Sequence, residues 1–226
     1  MSNTLPRLLL LPGWGEDARI FRNLQPELAQ HFSQVVNVTY RDVLLGMPAR
    51  PQPEAFLERL IELYGIQPDD VVIGHSFGGW VAYQLNGRLG CPTAMLCSLS
   101  ERRRVRPMLK LFMPVSWVIR LGLFHTSFFQ SFQRMRYRGK PSATEMDIVI
   151  QNFSQWSNTE IYQVLALMMQ RIRKHEATNL LRIHAQQDEL IRAPREMHVV
   201  VPGDHFAPAT HPEPILQRLE VWLGGL

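Results

Sequence analysis

The sequence predicts one doubly wound α/β domain spanning residues 1–226, with a basic helical cap inserted at 101–175. Three observations lead there. Short apolar, β-rich runs alternate with amphipathic helical stretches at both ends of the chain. One long basic stretch interrupts that alternation. An all-β-branched run, Val71-Val72-Ile73, passes through a glycine-rich turn directly into a helical pattern.

Leu8–Leu11 reads as the first strand, buried on both faces and ended by Pro12-Gly13-Trp14-Gly15. Ile20, Phe21, Leu24, Leu28 and Phe32 fall on one helical face, and Val35–Tyr40 follows as a strand. Met47–Pro53 is a Pro-rich loop. Ala55, Phe56, Leu60, Ile61 and Tyr64 mark a second amphipathic helix. After Val71–Ile73, the run Trp80–Leu85 continues as a helix, and Thr93–Leu99 is the next strand. Alternation resumes with strands at Leu180–Ala185 and Met197–Val201, and Ile215–Leu223 closes the chain as a helix.

Composition narrows the class. Hydrophobic residues make up 46% and charged residues 19%, which excludes disorder, collagen-like repeats and long coiled coils. The two cysteines, Cys91 and Cys97, sit six apart on a run that reads as extended, so no disulfide framework is expected. No signal-peptide core or membrane span is visible, and the cytoplasm is the expected location. The net charge of +4 conceals an asymmetry: residues 101–175 hold 13 Lys/Arg against four Asp/Glu, +9, leaving −5 for the remainder. The cap's apolar residues, among them Phe124, Phe128, Phe129, Phe132, Met168 and Met169, admit two readings: they seat the insertion on the core, or they line a pocket for an acyl or aromatic group.

Gly74-His75-Ser76-Phe77-Gly78 satisfies Gly-x-Ser-x-Gly, and its setting between strand and helix gives the pattern weight. Side chains at Gly74 and Gly78 would clash where strand and helix approach. A serine hydroxyl needs an imidazole and a carboxylate to become a nucleophile. Asp188 follows the strand Leu180–Ala185 and His205 follows the strand ending at Val201, so both reach the sheet edge that carries Ser76. Glu189 is an alternative acid. Asp204, adjacent to His205 in the chain, is awkwardly placed to accept from its ring.

The other histidines read as structural. His211 suits a cap of the last helix or a surface position, and His75, His184 and His198 read as packed and satisfied. His31, His125 and His175 have no partner suggested by spacing. No spacing matches a zinc site, and neither metal nor cofactor is expected. The backbone N–H groups of Phe77, just after the serine, and Trp14, in the loop after the first strand, are the expected oxyanion donors. The Trp14 indole is expected to wall the acyl site.

These segments, LLLLPGWG, GHSFGG, QQDELI and PGDHF, occur in an order that resembles the α/β-hydrolase superfamily across nearly the whole chain. Among its branches the chain is similar to small bacterial esterases and thioesterases, including biotin-pathway carboxylesterases that remove a methyl ester from a pimeloyl group on acyl carrier protein. Pro12 stands where the family usually has His. The chain starts close to its first strand, so the family's first two strands are expected to be missing and the sheet to have about six. Ser76 argues against dehalogenases, which use Asp there.

The resemblance and the residues together imply a serine hydrolase acting on a carboxylic ester or thioester. The rival class is a binding or signalling protein on the same scaffold. The basic cap suggests an anionic partner: an acidic acyl carrier protein, coenzyme A or an anionic lipid. Nucleic acid fits poorly. Peripheral membrane contact through Leu109–Phe124 is a further possibility, with Pro114 expected to break that helix.

Overall fold

The computed structural model describes residues 5–99, 112–170 and 175–226. Six strands form one sheet in the order β2-β1-β3-β4-β5-β6, with every neighbouring pair parallel. They are β1 (Leu5–Leu11), β2 (Phe32–Asn37), β3 (Val71–His75), β4 (Thr93–Leu96), β5 (Leu180–Ala185) and β6 (Val199–Val201). The expected six-stranded parallel sheet is the one observed. Strand order reverses between β1 and β3, and such a switch point opens a crevice beyond the strands' C-terminal ends.

Burial explains the central strands. Leu8, Leu9, Leu10 and Leu11 have no solvent exposure, because β1 lies between β2 and β3 with helices covering the faces. Helices α1 (Gln25–Leu28), α2 (Tyr40–Leu44), α3 (Pro53–Tyr64) and α4 (Phe77–Leu89) connect the first half. Helix α3 ends where Gly65 takes a left-handed φ of 57° and its N–H returns to the carbonyls of Glu62 and Ile61.

Between β4 and β5 the described residues carry α5 (Phe112–Arg120), α6 (Ser127–Tyr137), α7 (Ala143–Gln155) and α8 (Asn158–Met168). The chain closes with α9 (Ala207–Thr210) and α10 (Pro212–Leu223). Among the clamps that fix the insertion to the body are two ionic ones. Arg22 pairs with buried Glu145 of α7 through contacts of 2.5 and 2.9 Å. Arg136 and Lys140, at and beyond the end of α6, both pair with Glu189. The basic residues at 102–106, 110, 171, 173 and 174 lie outside the described residues.

Several sequence expectations need correction. The Ile20–Phe32 face is no single helix but a 3-10 turn at Ala18–Phe21, the short α1 and a second 3-10 turn at Ala29–His31. Pro26 has no N–H to bond back to Arg22, so the helix cannot run through. The second strand ends at Asn37 rather than Tyr40. Tyr40 instead opens α2, where its buried ring packs 5.0 Å from that of Phe77. β4 stops at Leu96 because Cys97 turns out at φ 45°; both cysteines are buried and free. β6 starts at Val199, leaving Met197 exposed. Pro114 does not break α5, which runs through it from Phe112 to Arg120. Residues 109–111 of the proposed membrane segment lie outside the described ones. No helix among the described residues is long and apolar enough to cross a membrane.

Candidate active site

β3 drives straight into the turn at Ser76, whose backbone adopts φ 52° and ψ −117°, a strained conformation for a residue with a Cβ. Close packing makes the turn possible. A Cβ on Gly74 would lie 2.2 Å from the Gly78 carbonyl oxygen, and one on Gly78 would lie 1.9 Å from that of Leu11. Both expected glycine contacts are thus backbone contacts, which cannot yield as a side chain could. Ser98, not singled out in the sequence, donates its hydroxyl to the Ser76 carbonyl at 2.5 Å and fixes the turn from the β4 side.

The three residues expected to meet do so. Ser76 Oγ lies 2.9 Å from His205 Nε2, and His205 Nδ1 lies 2.9 Å from Asp188 Oδ2. Register brings them together: Ala185 of β5 pairs with Val201 of β6, so the following loops start level. Gln186 N–H donates to the Val201 carbonyl and Gln187 N–H to that of Gly203, tying the two loops. The other Asp188 oxygen, Oδ1, accepts the N–H groups of Leu190 and Ile191 at 2.8 Å each.

The rival acids face elsewhere. Glu189 is held by Arg136 and Lys140; Asp204 accepts the Phe206 N–H at 3.0 Å and the Ser142 hydroxyl.

Burial alone would raise the Asp188 carboxyl, yet the charge and hydrogen bond of His205, with the Ile191 amide, outweigh it and hold it below the usual carboxylate value. Burial likewise opposes charge on His205. There the charge and hydrogen bond of Asp188, followed by Glu16 and Asp204, prevail and raise its pKa above 6.5. The neighbouring His184 goes the other way, lowered by desolvation more than Asp188 restores it.

Phe77 is the first residue of α4, so its N–H has no carbonyl within the helix to bond. Trp14 stands in the loop after β1, its indole 5.3 Å from the ring of Phe153 and 5.8 Å from that of Phe124. Both Trp14 and Ser76 line a cavity of about 300 Å³ roofed by the inserted helices. Phe129, Phe132, Met146, Val149, Met168 and Met169 contribute to its apolar wall, while Glu16, Gln133, Arg136, Glu189 and His205 bring polar groups. The cap's apolar residues therefore both seat the insertion and line a cavity. Ile119, Ile161 and Val164 are buried in the core; Phe124, Phe129, Phe132, Met168 and Met169 face the cavity. Phe128 does neither and is 82% exposed.

Four of the remaining histidines pack against nearby groups, whereas His184, expected to be satisfied, is buried with its Nδ1 lacking a hydrogen-bond partner. His211 is the N-cap residue of α10, beside the Thr210 hydroxyl at 3.0 Å. His198 lies against the Glu196 carbonyl, and His175 packs on Tyr83. His75 is fully buried and satisfied, as expected, but its partner is one the sequence reading passed over. Glu16 Oε2 lies 2.7 Å from His75 Nδ1. Glu16, His75 and His205 place metal-ligand-type atoms within 4.8 Å of one another. All four ring nitrogens, however, face partners inside the protein: Glu16, the His205 carbonyl, Asp188 and Ser76.

Residues 8–218 match the alpha/beta hydrolase family. This chain belongs to that family. Its fold resembles that of an esterase from Thermogutta terrifontis, with a TM-score of 0.72 at 19% identity, covering 99% of this chain and 91% of the other. It also resembles the enol-lactonase from Burkholderia xenovorans LB400, with a TM-score of 0.70 at 12% identity over 98% and 92% of the two chains. A curated relative, the 2-heptyl-3-hydroxy-4-quinolone dioxygenase of Rhodococcus erythropolis, is 38% identical over 90 residues. That match spans 38% of this alpha/beta hydrolase and 33% of the relative's length.

Proposed function

We propose that this alpha/beta hydrolase is a serine hydrolase that cleaves a carboxylic ester or thioester with an apolar acyl group. One observation carries the reading. Ser76 Oγ stands 2.9 Å from an imidazole backed by a fixed carboxylate, and it opens on an apolar cavity.

In this mechanism Ser76 Oγ attacks the acyl carbonyl as its proton passes to His205 Nε2. Asp188 holds the ring in the tautomer with Nδ1 protonated and stabilises the imidazolium that forms. The N–H groups of Trp14 and Phe77 receive the negative charge on the carbonyl oxygen. Collapse breaks the bond to the alcohol or thiol, which takes the proton from His205 and leaves an acyl-enzyme on Ser76. Water then repeats the sequence, with His205 as base, to release the acid.

The basic insertion adds an anionic carrier of the acyl group, such as an acidic acyl carrier protein or coenzyme A, to this reading. Labelling by a fluorophosphonate probe tests it, with Ser76→Ala as the control. Labelled wild type and unlabelled variant are expected. A folded wild type that neither labels nor hydrolyses nitrophenyl esters points instead to a binding protein on this scaffold.

A further inference from the structure

Beside the triad lies a second buried acid–histidine pair that the mechanism does not use. His75 Nε2 is 2.8 Å from the main-chain carbonyl of His205. A carbonyl can only accept, so Nε2 carries a proton. The opposite nitrogen, Nδ1, faces Glu16 Oε2 at 2.7 Å, which places one further proton between ring and carboxyl.

Glu16 also grips Gly13 from both sides. Its Oε2 accepts the Gly13 N–H at 2.6 Å, and its own N–H donates to the Gly13 carbonyl at 3.2 Å. The peptide between Gly13 and Trp14 is planar and trans, so holding the Gly13 carbonyl on one side directs the Trp14 N–H to the other. The loop is anchored again one residue on, where Asn152 of α7 donates to the Gly15 carbonyl at 3.0 Å. Three segments distant in sequence thus meet through Glu16 and His75: the loop after β1, the residue preceding Ser76, and the backbone of His205.

We propose that Glu16 and His75 are a positioning pair that locks the Gly13–Trp14 donor loop to the backbone of His205, fixing the separation between an oxyanion donor and the base. The inference rests on the serine-hydrolase reading. His75 is fully buried, and Glu16, which edges the cavity, takes part in no bond-making step; both act through the groups they hold. A displacement of about 1 Å in such groups costs on the order of 100-fold in rate.

The test compares wild type, Glu16→Ala and Glu16→Gln on nitrophenyl butanoate, with melting curves for each. Glu16→Ala is expected to lose about 10- to 100-fold in kcat, with KM changed by less than about twofold. Oε2 alone meets both the Gly13 N–H and His75 Nδ1, so Glu16→Gln can keep an oxygen there for Gly13 but gives up the shared proton to His75, and its kcat is expected to fall between those of Glu16→Ala and wild type. A merely structural Glu16 would shift melting and leave kcat alone. Folded Glu16→Ala with wild-type kcat, or Glu16→Gln indistinguishable from wild type, overturns the proposal.

Should Glu16→Ala not fold, Gly13→Ala replaces it. The added Cβ would lie 2.5 Å from the Glu16 carboxylate and push it aside, so an unchanged kcat there has the same meaning. A low-field ring-proton resonance of His75 reads the pair without turnover: it should persist in Ser76→Ala and vanish in Glu16→Ala, and its absence from Ser76→Ala overturns the pairing. An inert wild type, by contrast, removes the hydrolase reading and leaves the resonance test standing.

Discussion

Asp188 divides its two oxygens between tasks, with Oδ1 held by the Leu190 and Ile191 amides and Oδ2 given to His205 Nδ1 at 2.9 Å. The carboxylate is therefore oriented by its own loop before it orients the ring. Asp188→Asn keeps the shape but can present an NH2 to Nδ1, favouring the wrong tautomer. It is expected to lower kcat by about 10³- to 10⁴-fold with the melting temperature little changed, read from ester hydrolysis and calorimetry. A loss under tenfold would remove Asp188 from the proposed mechanism.

The pH dependence follows from His205. Its ring is bonded to Asp188 and feels the charges of Glu16 and Asp204, with His75 and His184 nearby, and the acids hold its pKa above 6.5. A base must be neutral to take the serine proton, so kcat/KM is expected to rise with pH with a midpoint above 6.5. Asp188→Asn should move that midpoint down. Stability runs the opposite way. Protonated His205 favours the folded chain, a contribution complete below pH 6.5 and lost as pH climbs through the raised value. Denaturant midpoints measured across this window check the sign.

Gly78→Ala places a methyl 1.9 Å from the Leu11 carbonyl oxygen, and neither α4 nor β1 can withdraw without breaking the sheet's centre. A destabilisation of about 3 kcal/mol or more is expected in urea titration. An Ala variant as stable as wild type would mean that α4 can shift away from β1.

Substrate length provides a quantitative check. At ~0.8 kcal/mol per buried methylene, kcat/KM for nitrophenyl esters should climb about fourfold per added carbon. The climb should stop once the 300 Å³ cavity is filled, at about ten heavy atoms if each takes ~30 Å³. A series with no chain-length dependence would place the acyl group outside this cavity.

A carrier-borne thioester is expected to behave differently from a neutral ester. With +9 on residues 101–175, kcat/KM for an acyl group on an acidic carrier protein should fall between 0.01 and about 0.2 M salt, while the nitrophenyl ester stays level. Equal salt responses would remove the electrostatic role of the cap.

What could be read from the chain followed locality. The elbow at Ser76 was legible because strand, turn and helix are contiguous there, and the loops bearing Asp188 and His205 were legible because each directly follows a strand. Broken local rules caused the misses: Pro26 divides one apolar face into short turns, and Tyr40 packs beneath Phe77 instead of extending β2. Glu16 was hidden for another reason. Its partner His75 is 59 positions away, and only the fold sets the loop after β1 over the residue before the nucleophile. An acid just beyond Pro12–Gly15, together with a histidine inside the serine motif, was the available hint. Ser98 gave none.

Two of the tethers on the inserted helices run from Arg22 to Glu145 on one side and from Glu189 to Arg136 and Lys140 on the other. Each tether ends next to working parts: the first a few residues past Trp14, the second immediately after Asp188. An oversized guest that levers the roof upward would tug on both strings and detune the machinery beneath. Refusal of the wrong cargo would then come from lost chemistry as much as from lack of room.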